Sequence, residues 1–150
     1  MKGIKFRIWD KVANKWLDDE DIYFNQEGEA YLIEERTWAY QSYMHKEYIT
    51  EKVEIVRFTG LEDKNGKEIY EGDILECTSE LLTNFGKTKT GRYETTYKQV
   101  IWLTDSWGYR VLKSKHIVEG AKRKGLEVAI KFGVICGNIY ENPELLEESK

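Results

Sequence analysis

The feature that most constrains the fold is a turn-dense stretch, residues 58–76, which reads FTGLEDKNGKEIYEGDILE. Within it, Asn65-Gly66 is flanked by charged residues, and Asn-Gly supplies the two positive φ angles of a type I′ hairpin turn. We therefore predict a tight reversal at residues 64–67. Gly72 then precedes an apolar run, where a glycine releases the backbone into a new strand without a Cβ penalty. The stretch is a hinge between two β-patterned halves.

Alternating apolar and polar residues, or short runs of β-forming residues, predict strands on both sides of the hinge. These segments are residues 4–9, 16–17, 22–24, 30–33, 53–58, 73–77, 93–103 and 109–112. A single proline and 13% aromatic residues also favour strands, because aromatic rings fit a pleated, half-buried surface. Near the end, Asn142-Pro143-Glu144 supplies an N-cap, a first-turn proline and an early carboxylate, which predicts a short C-terminal helix.

Three segments give weaker patterns. Residues 34–48 place aromatic residues at mixed spacings that are compatible with a short helix or an aromatic-rich loop, so the structure of residues 34–50 stays open. Residues 78–90 are rich in Ser, Thr, Gly and Lys, which predicts an exposed connection and leaves the structure of 78–92 open. Residues 125–137 are mostly apolar and predict one or two buried strands.

Three motifs occur in an order that resembles the YopX-like proteins of phages and prophages. They are Ile4-Lys5-Phe6-Arg7 with Trp9-Asp10, Phe58-Thr59-Gly60-Leu61 with Asp63 to Ile74, and Gly137 to Leu146. The resemblance implies a small N-terminal β unit and a C-terminal domain similar to an SH3-type barrel. It implies no activity and brings no catalytic or binding residues.

Together, the patterns and the resemblance predict a mainly β protein in two parts. Residues 1–58 form a small β-meander unit, and residues 59–150 form a YopX-like, SH3-like β domain that ends in a short helix. The hinge at residues 58–76 is the reason for placing the boundary there.

The sequence gives no pattern typical of a metal or cofactor site. Cys77 and Cys136 lie far apart, without a CxxC motif, and only His45 and His116 could join them, so we expect two buried, reduced thiols and no zinc. The acidic run at residues 18–21 lacks the alternate spacing and glycine of a calcium loop, so we interpret it as a solvated turn. No apolar run reaches the roughly 20 residues that span a bilayer, and we expect a protein of the bacterial cytoplasm.

Enzyme motifs are also missing from the sequence. His45 and His116 lie in segments without GxSxG, HExxH or a papain-like cysteine context. Carboxylate pairs such as Asp73 and Glu76 arise by chance among 27 acidic residues. We therefore expect no catalytic residue, no cofactor and no small-molecule substrate.

Charge is distributed unevenly along the chain. Residues 1–80 hold 11 Lys and Arg against 19 Asp and Glu, residues 81–131 hold 11 against 4, and residues 132–150 hold 1 against 4. The densest basic cluster comprises Lys113, Lys115, Lys122, Arg123 and Lys124. Such a cluster can bind nucleic acid, face an acidic surface of the same or another subunit, or simply be solvated.

Aromatic residues without a clear strand period provide a second candidate surface. Trp38, Tyr40 and Tyr43 either cap their own sheet or contact another chain. The resemblance implies a phage- or prophage-encoded protein, and together with these patterns it predicts a non-enzymatic accessory protein that binds a protein partner or assembles with copies of itself. The alternative is a weak, sequence-independent nucleic-acid-binding module.

Overall fold

The computed structural model describes residues 5–17 and 21–146 of the chain. Strands hold 61% of these residues and the only α-helix among them has four, so the predicted mainly β fold class is confirmed. The chain folds as two compact units, Met1–Val56 and Arg57–Lys150. The predicted boundary lies two residues later, and the treatment of the two parts as domains stays a prediction.

The first unit contains two small antiparallel sheets. Its strands are β1 (Phe6–Asp10), β2 (Lys15–Leu17), β3 (Ile22–Phe24), β4 (Ala30–Trp38), β5 (Gln41–Tyr48) and, after a 3-10 turn at Thr50–Lys52, the start of β6 (Val53–Glu62). Strand β1 lies between β2 and β6, and β3, β4 and β5 pair in chain order as a meander. Predictions for Ile4 and for most of the acidic run at residues 18–21 lie outside the described residues.

The core of the first unit follows from strand alternation, which directs every second side chain inward. Its buried members are Ile8, Ile22, Ala30, Ile49 and Val53. Partly buried apolar side chains, including Phe6 and Phe24 with rings 5.2 Å apart, pack around this cluster.

The second unit is built on a five-stranded antiparallel sheet. Its elements are β7 (Glu68–Tyr70), β8 (Asp73–Thr83), β9 (Thr88–Leu103), β10 (Ser106–Lys113), β11 (Lys122–Lys124), α1 (Leu126–Ala129), a 3-10 turn at Ile130–Phe132, β12 (Gly133–Asn138) and a 3-10 turn at Pro143–Leu146. The sheet order is β11-β10-β9-β8-β12, and β7 pairs with β6. The buried core comprises Ile69, Leu75, Cys77, Val100 and Leu126. The SH3-like arrangement of this unit stays a prediction.

Asp63 stabilises the turn between β6 and β7, which lies within the predicted hinge. Its side chain is buried, and Oδ1 accepts hydrogen bonds from the backbone N–H groups of Asn65 and Lys67, both at 2.9 Å. Its Oδ2 accepts the N–H of Ile135 in β12 at 3.0 Å. Burial raises the pKa of this carboxyl, but the three backbone hydrogen bonds outweigh burial and hold the pKa below its ordinary value.

Gly72 lies where the chain leaves β7 for β8, and its backbone requires glycine. Its φ is +89°, and a Cβ at this position would lie 2.9 Å from the Tyr140 ring. The predicted role of Gly72 at the start of a strand agrees with this geometry, because β8 begins at the next residue.

The predicted type I′ turn is wrong in its type. The Gly66 N–H donates to the Asp63 carbonyl at 2.9 Å, and Gly66 has φ +84°, whereas Asn65 is not among the residues with positive φ. A tight turn followed by one left-handed glycine therefore replaces a turn with two left-handed residues. The Asp63 carboxylate stabilises this alternative.

Two segments with open predictions form long hairpins. Residues 34–48 are neither helix nor loop but belong to β4 and β5, and the predicted loop at 78–90 is a hairpin in which β8 ends at Thr83 and β9 starts at Thr88. Both segments are largely exposed on both faces, so their strands carry little apolar alternation for a pattern to detect.

The prediction for residues 125–137 is half wrong, because its first half forms α1 and a 3-10 turn, while its second half forms β12. The expectation of two buried thiols is also wrong: Cys77 is buried, but Cys136 is exposed. The pairing of β12 with β8 shifts register between Ile135 and Gly137, and such a bulge displaces the intervening residue from the regular ladder. The C-terminal helix is a 3-10 turn at Pro143–Leu146.

Replacing Asp63 by Asn should destabilise the protein by about 2 kcal/mol at neutral pH, because an amide cannot accept all three backbone N–H groups. The pKa of Asp63 is lower in the folded protein than in the unfolded chain, so the ionised carboxylate stabilises the fold fully above about pH 4. This stabilisation is lost as the pH falls through the folded pKa. Urea denaturation of both proteins between pH 3 and pH 7 measures this difference.

The matched control is Asp105→Asn, which removes an exposed ion pair with Lys124 and should change stability little. If the Asp63→Asn protein is as stable as the native chain at pH 7, the three hydrogen bonds of Asp63 do not stabilise the turn between β6 and β7 as proposed here.

Candidate functional site

The β4–β5 hairpin extends beyond the rest of its sheet. Strand β3 pairs with β4 only from Ala30 to Leu32, whereas β4 and β5 continue to pair from Ile33↔Lys46 to Trp38↔Gln41. We call residues 33–46 the arm. Within the described residues it is a two-stranded ribbon, a structure that is only marginally stable without further packing.

The tip of the arm holds two residues in the left-handed region. Ala39 has φ 50° and Tyr40 has φ 66°, and together they form the two-residue connection between Trp38 and Gln41. Two positive φ angles are typical of a type I′ turn, which usually contains Asn or Gly. Each non-glycine residue in this conformation costs roughly 1 kcal/mol, so the sequence of the tip is not optimised for stability.

Aromatic side chains are exposed along the arm. Trp38 is 77% exposed, Tyr43 is 47% exposed, and Tyr40 at the tip is fully exposed. Trp38 and Tyr43 lie on the same face, because Arg36, two residues before Trp38 on β4, pairs directly with Tyr43. Arg36 forms an ion pair with Glu34 at 2.6 Å. The alternative that these rings cap their own sheet does not agree with their exposure.

The other four tryptophans are accounted for within the fold. Trp9 and Trp16 pack edge to face across β1 and β2 with ring centroids 4.9 Å apart, and Trp102 and Trp107 do so across β9 and β10 at 5.0 Å. An arginine lies over a ring in each pair, Arg7 at 3.7 Å in the first and Arg57 at 5.1 Å in the second. Trp38 is therefore the most exposed of the five tryptophans and has no comparable ring partner among the described contacts.

The basic cluster is not a single surface. Lys113 ends β10 and Lys115 follows it, whereas Lys122, Arg123 and Lys124 form the whole of β11. Because side chains alternate along a strand, Lys122 and Lys124 point to one face and Arg123 points to the other. Lys124 also forms an ion pair with Asp105 at 2.9 Å, which lowers the pKa of that carboxyl. The cluster thus offers fewer convergent positive charges than the sequence suggests.

Sequence reasoning missed an exposed aromatic at the β8–β9 tip. Phe85 is fully exposed, and both Phe85 and its neighbour Asn84 have left-handed backbone angles, with φ 56° and φ 57°. The Asn-Phe-Gly sequence at this turn is the signal that could have identified it, since Asn and Gly tolerate the left-handed region. The second unit therefore also places a ring at the end of a hairpin.

One group of side chains resembles a catalytic set in composition. His116 Nε2 lies 3.2 Å from Oε2 of Glu94, whose side chain is 12% exposed. The other oxygen, Oε1, is buried and has no hydrogen-bond partner among the described residues. The neighbouring Ser114 Oγ accepts the backbone N–H groups of His116 and Ile117, at 3.3 and 3.2 Å. Thr96 Oγ1 also donates to Ser114 Oγ at 3.4 Å, and together these bonds anchor the loop.

The described part of the chain has neither a metal-binding cluster nor a membrane-spanning helix. Among residues 5–17 and 21–146, no cluster of three or more His, Cys, Asp and Glu could hold a metal ion. No helix in these ranges has the length and apolar character needed to cross a membrane.

Comparisons with known proteins identify one family and two solved structures to which the chain is similar. A family model described as "YopX protein" matches residues 5–147. The crystal structure of protein EF1440 from Enterococcus faecalis matches with a TM-score of 0.55 at 21% identity, covering 97% of this chain and 99% of that one. The structure of protein yopX from Bacillus subtilis has a TM-score of 0.48 at 17% identity, with the same coverage. No curated protein matches the chain.

Replacing Tyr40 by Gly should stabilise the protein by about 1 kcal/mol, because glycine adopts the left-handed conformation of the tip without a Cβ clash. Urea denaturation monitored by circular dichroism measures the change. As the matched control, Tyr43→Gly places glycine in the extended part of β5 and should destabilise the fold. A Tyr40→Gly protein less stable than the native chain would contradict the assignment of backbone strain to Tyr40.

Proposed function

The chain belongs to the YopX protein family, and on this premise we propose that it is a non-enzymatic accessory protein that binds another protein through the arm. The observation that carries the proposal is the exposure of Trp38 and Tyr43 on one face of a hairpin that extends beyond its own sheet. Trp and Tyr are the side chains that most often dominate protein interfaces, because they bury large areas with few rotatable bonds.

The energetics of the arm also favour a binding role. An exposed two-stranded ribbon with a left-handed tip gains little stability from the rest of the first unit. A partner that covers Trp38 and Tyr43 would remove apolar surface from water and support the ribbon at the same time. The partner is a host or phage protein, or a second copy of this chain, in the cytoplasm of a bacterium.

Nucleic-acid binding is the second candidate, supported by the exposed Lys122 and Arg123 on β11, a strand at the edge of its sheet. Their divergent directions and the overall charge of −4 favour weak binding without sequence preference. Phosphate contacts would dominate such binding, so its affinity would fall steeply with salt.

Partner binding should depend on the arm. In a pull-down from infected host cells, the double change Trp38→Ala with Tyr43→Ala should reduce recovery of the specific partner at least tenfold, since truncating an interface anchor costs about 2 kcal/mol or more. Quantitative mass spectrometry of the captured proteins measures the loss. The matched control is Tyr93→Ala, which removes another exposed ring from the second unit and should leave recovery unchanged.

Light scattering on the purified chain separates a second copy from a different partner. If the native chain is an oligomer and the double change Trp38→Ala with Tyr43→Ala converts it to a monomer, the partner is a second copy of the chain. If the native chain is a monomer at every concentration, self-association is excluded. If the captured proteins are the same for the native chain and the double variant, the arm is not the binding surface.

Labelled double-stranded DNA should bind weakly at low salt, and its affinity should fall by at least tenfold between about 0.05 and 0.2 M NaCl, because phosphate contacts release counterions. Fluorescence anisotropy measures the affinity, and Lys122→Ala with Arg123→Ala should weaken it further. The absence of binding at low salt would remove the nucleic-acid candidate.

A further inference from the structure

The first unit contains a pocket at the base of the arm. Its volume is about 370 Å³, which lies within the range of pockets that hold small ligands or side chains. Its walls come from strands β1 to β5, from the first residue of β6 and from residues in the connections between these strands. The lining residues are Asp10, Val12, Leu17, Asp21, Ile22, Leu32, Glu47, Ile49, Lys52 and Val53.

Most of the apolar residues that line this pocket belong to the core of the unit. Ile22, Ile49 and Val53 are core residues, and Leu17 and Leu32 pack against the same cluster. A wall made from the core is held in place by the packing of the whole unit. The pocket is therefore suited to an aliphatic group of a ligand.

The charged residues of the pocket determine the charge of that ligand. Three carboxylates, Asp10, Asp21 and Glu47, accompany one ammonium group, Lys52. Lys52 Nζ donates to Glu47 Oε1 at 2.8 Å, and this bond lowers the pKa of Glu47 and raises that of Lys52. With these two charges paired, Asp10 and Asp21 leave the pocket negative.

Asp10 is held in a defined orientation. Its Oδ1 accepts hydrogen bonds from the backbone N–H groups of Val12 and Ala13, both at 2.9 Å.

The first unit as a whole is acidic, with 8 Lys and Arg against 12 Asp and Glu in residues 1–56. Aliphatic walls with negative charge complement a lysine or arginine side chain, which has an apolar stem and a cationic end.

Two residues of the pocket lie on the same face of β4 and β5 as the exposed rings of the arm. Leu32 pairs with Glu47 across β4 and β5, and both line the pocket. Trp38 lies on the same face as Leu32, six residues further along β4, and six strand residues span about 20 Å. An extended partner segment of about seven residues is long enough to reach from the pocket to Trp38.

We propose that the pocket binds a lysine or arginine side chain from the protein that the arm recognises, and that an apolar residue about six positions away in that segment contacts Trp38. This inference rests on the proposed function and specifies the chemistry of the partner. An acidic segment or a nucleic acid would instead meet the negative charge of the pocket and be repelled.

Synthetic peptides test the proposal on the full chain. The probes are seven-residue peptides with blocked ends and serine spacers, which carry Lys at one end and Phe at the other in either order. Matched comparators replace Lys by norleucine, which keeps the stem and removes the charge. In NMR titrations of the ¹⁵N-labelled protein, the better Lys peptide should shift the amides of Ile22, Ile49 and Val53 and bind about fivefold more tightly than its norleucine comparator.

Variants distinguish the pocket from other acidic surfaces. Asp10→Asn keeps an oxygen that accepts the turn N–H groups, and Asp21→Asn is a second, independent change; each should abolish most of the preference for Lys. Glu54→Gln is the matched control, because Glu54 is an acidic residue of the same unit that pairs with Lys11 and does not line the pocket. Equal binding of the Lys and norleucine peptides, no shift at the pocket amides, or an unchanged preference in both Asp variants would overturn the proposal.

The same titrations separate this inference from the proposed function. Shifts at the pocket that persist in Trp38→Ala, together with a pull-down that does not depend on the arm, would support the pocket and reject the arm as the binding surface. A cellular partner that requires Trp38 but is captured equally by Asp10→Asn and Asp21→Asn would support the arm and reject the pocket.

Discussion

The three hydrogen bonds accepted by the Asp63 carboxylate join parts of the second unit that are far apart in sequence. Two of these bonds close the turn between β6 and β7, and the third reaches Ile135 in β12, 72 residues later. A carboxylate in this position replaces water as the partner of three backbone N–H groups that the fold removes from solvent. The turn and β12, an outer strand of the five-stranded sheet, are positioned together as a result.

Much of the fold could be predicted because inward and outward side chains alternate along a half-buried strand. The pattern fails where both faces of a strand meet water, and so it missed the outer parts of β4–β5 and β8–β9. The Asn65-Gly66 pair located the hinge, but its turn type depends on Asp63, a tertiary effect that local propensity does not contain. The exposure of Cys136 depends on a register shift between β8 and β12, which becomes visible only once the two strands pair.

The candidate site was only partly predictable for the same reason. The sequence identified three aromatic residues that do not follow the alternation of a half-buried strand, namely Trp38, Tyr40 and Tyr43. A ribbon that is exposed on both faces has no such alternation. The basic run at residues 122–124 was interpreted as one patch, but a strand directs its neighbouring side chains to opposite faces. The pocket combines residues from six strands and three connecting segments, and a sequence pattern gives no indication that they converge.

The open edges of the arm have a consequence for the behaviour of the protein at high concentration. An exposed strand edge is a template for pairing with other chains, and it can seed aggregation when the strand is apolar. In the arm, charged residues interrupt the apolar and aromatic ones, with Glu34, Glu35 and Arg36 on β4 and Lys46 on β5. They act as gatekeepers against ordered stacking of identical arms. If the arm binds a partner as proposed, the same charges also restrict which chains can lie against this edge, so resistance to aggregation and choice of partner depend on one short segment.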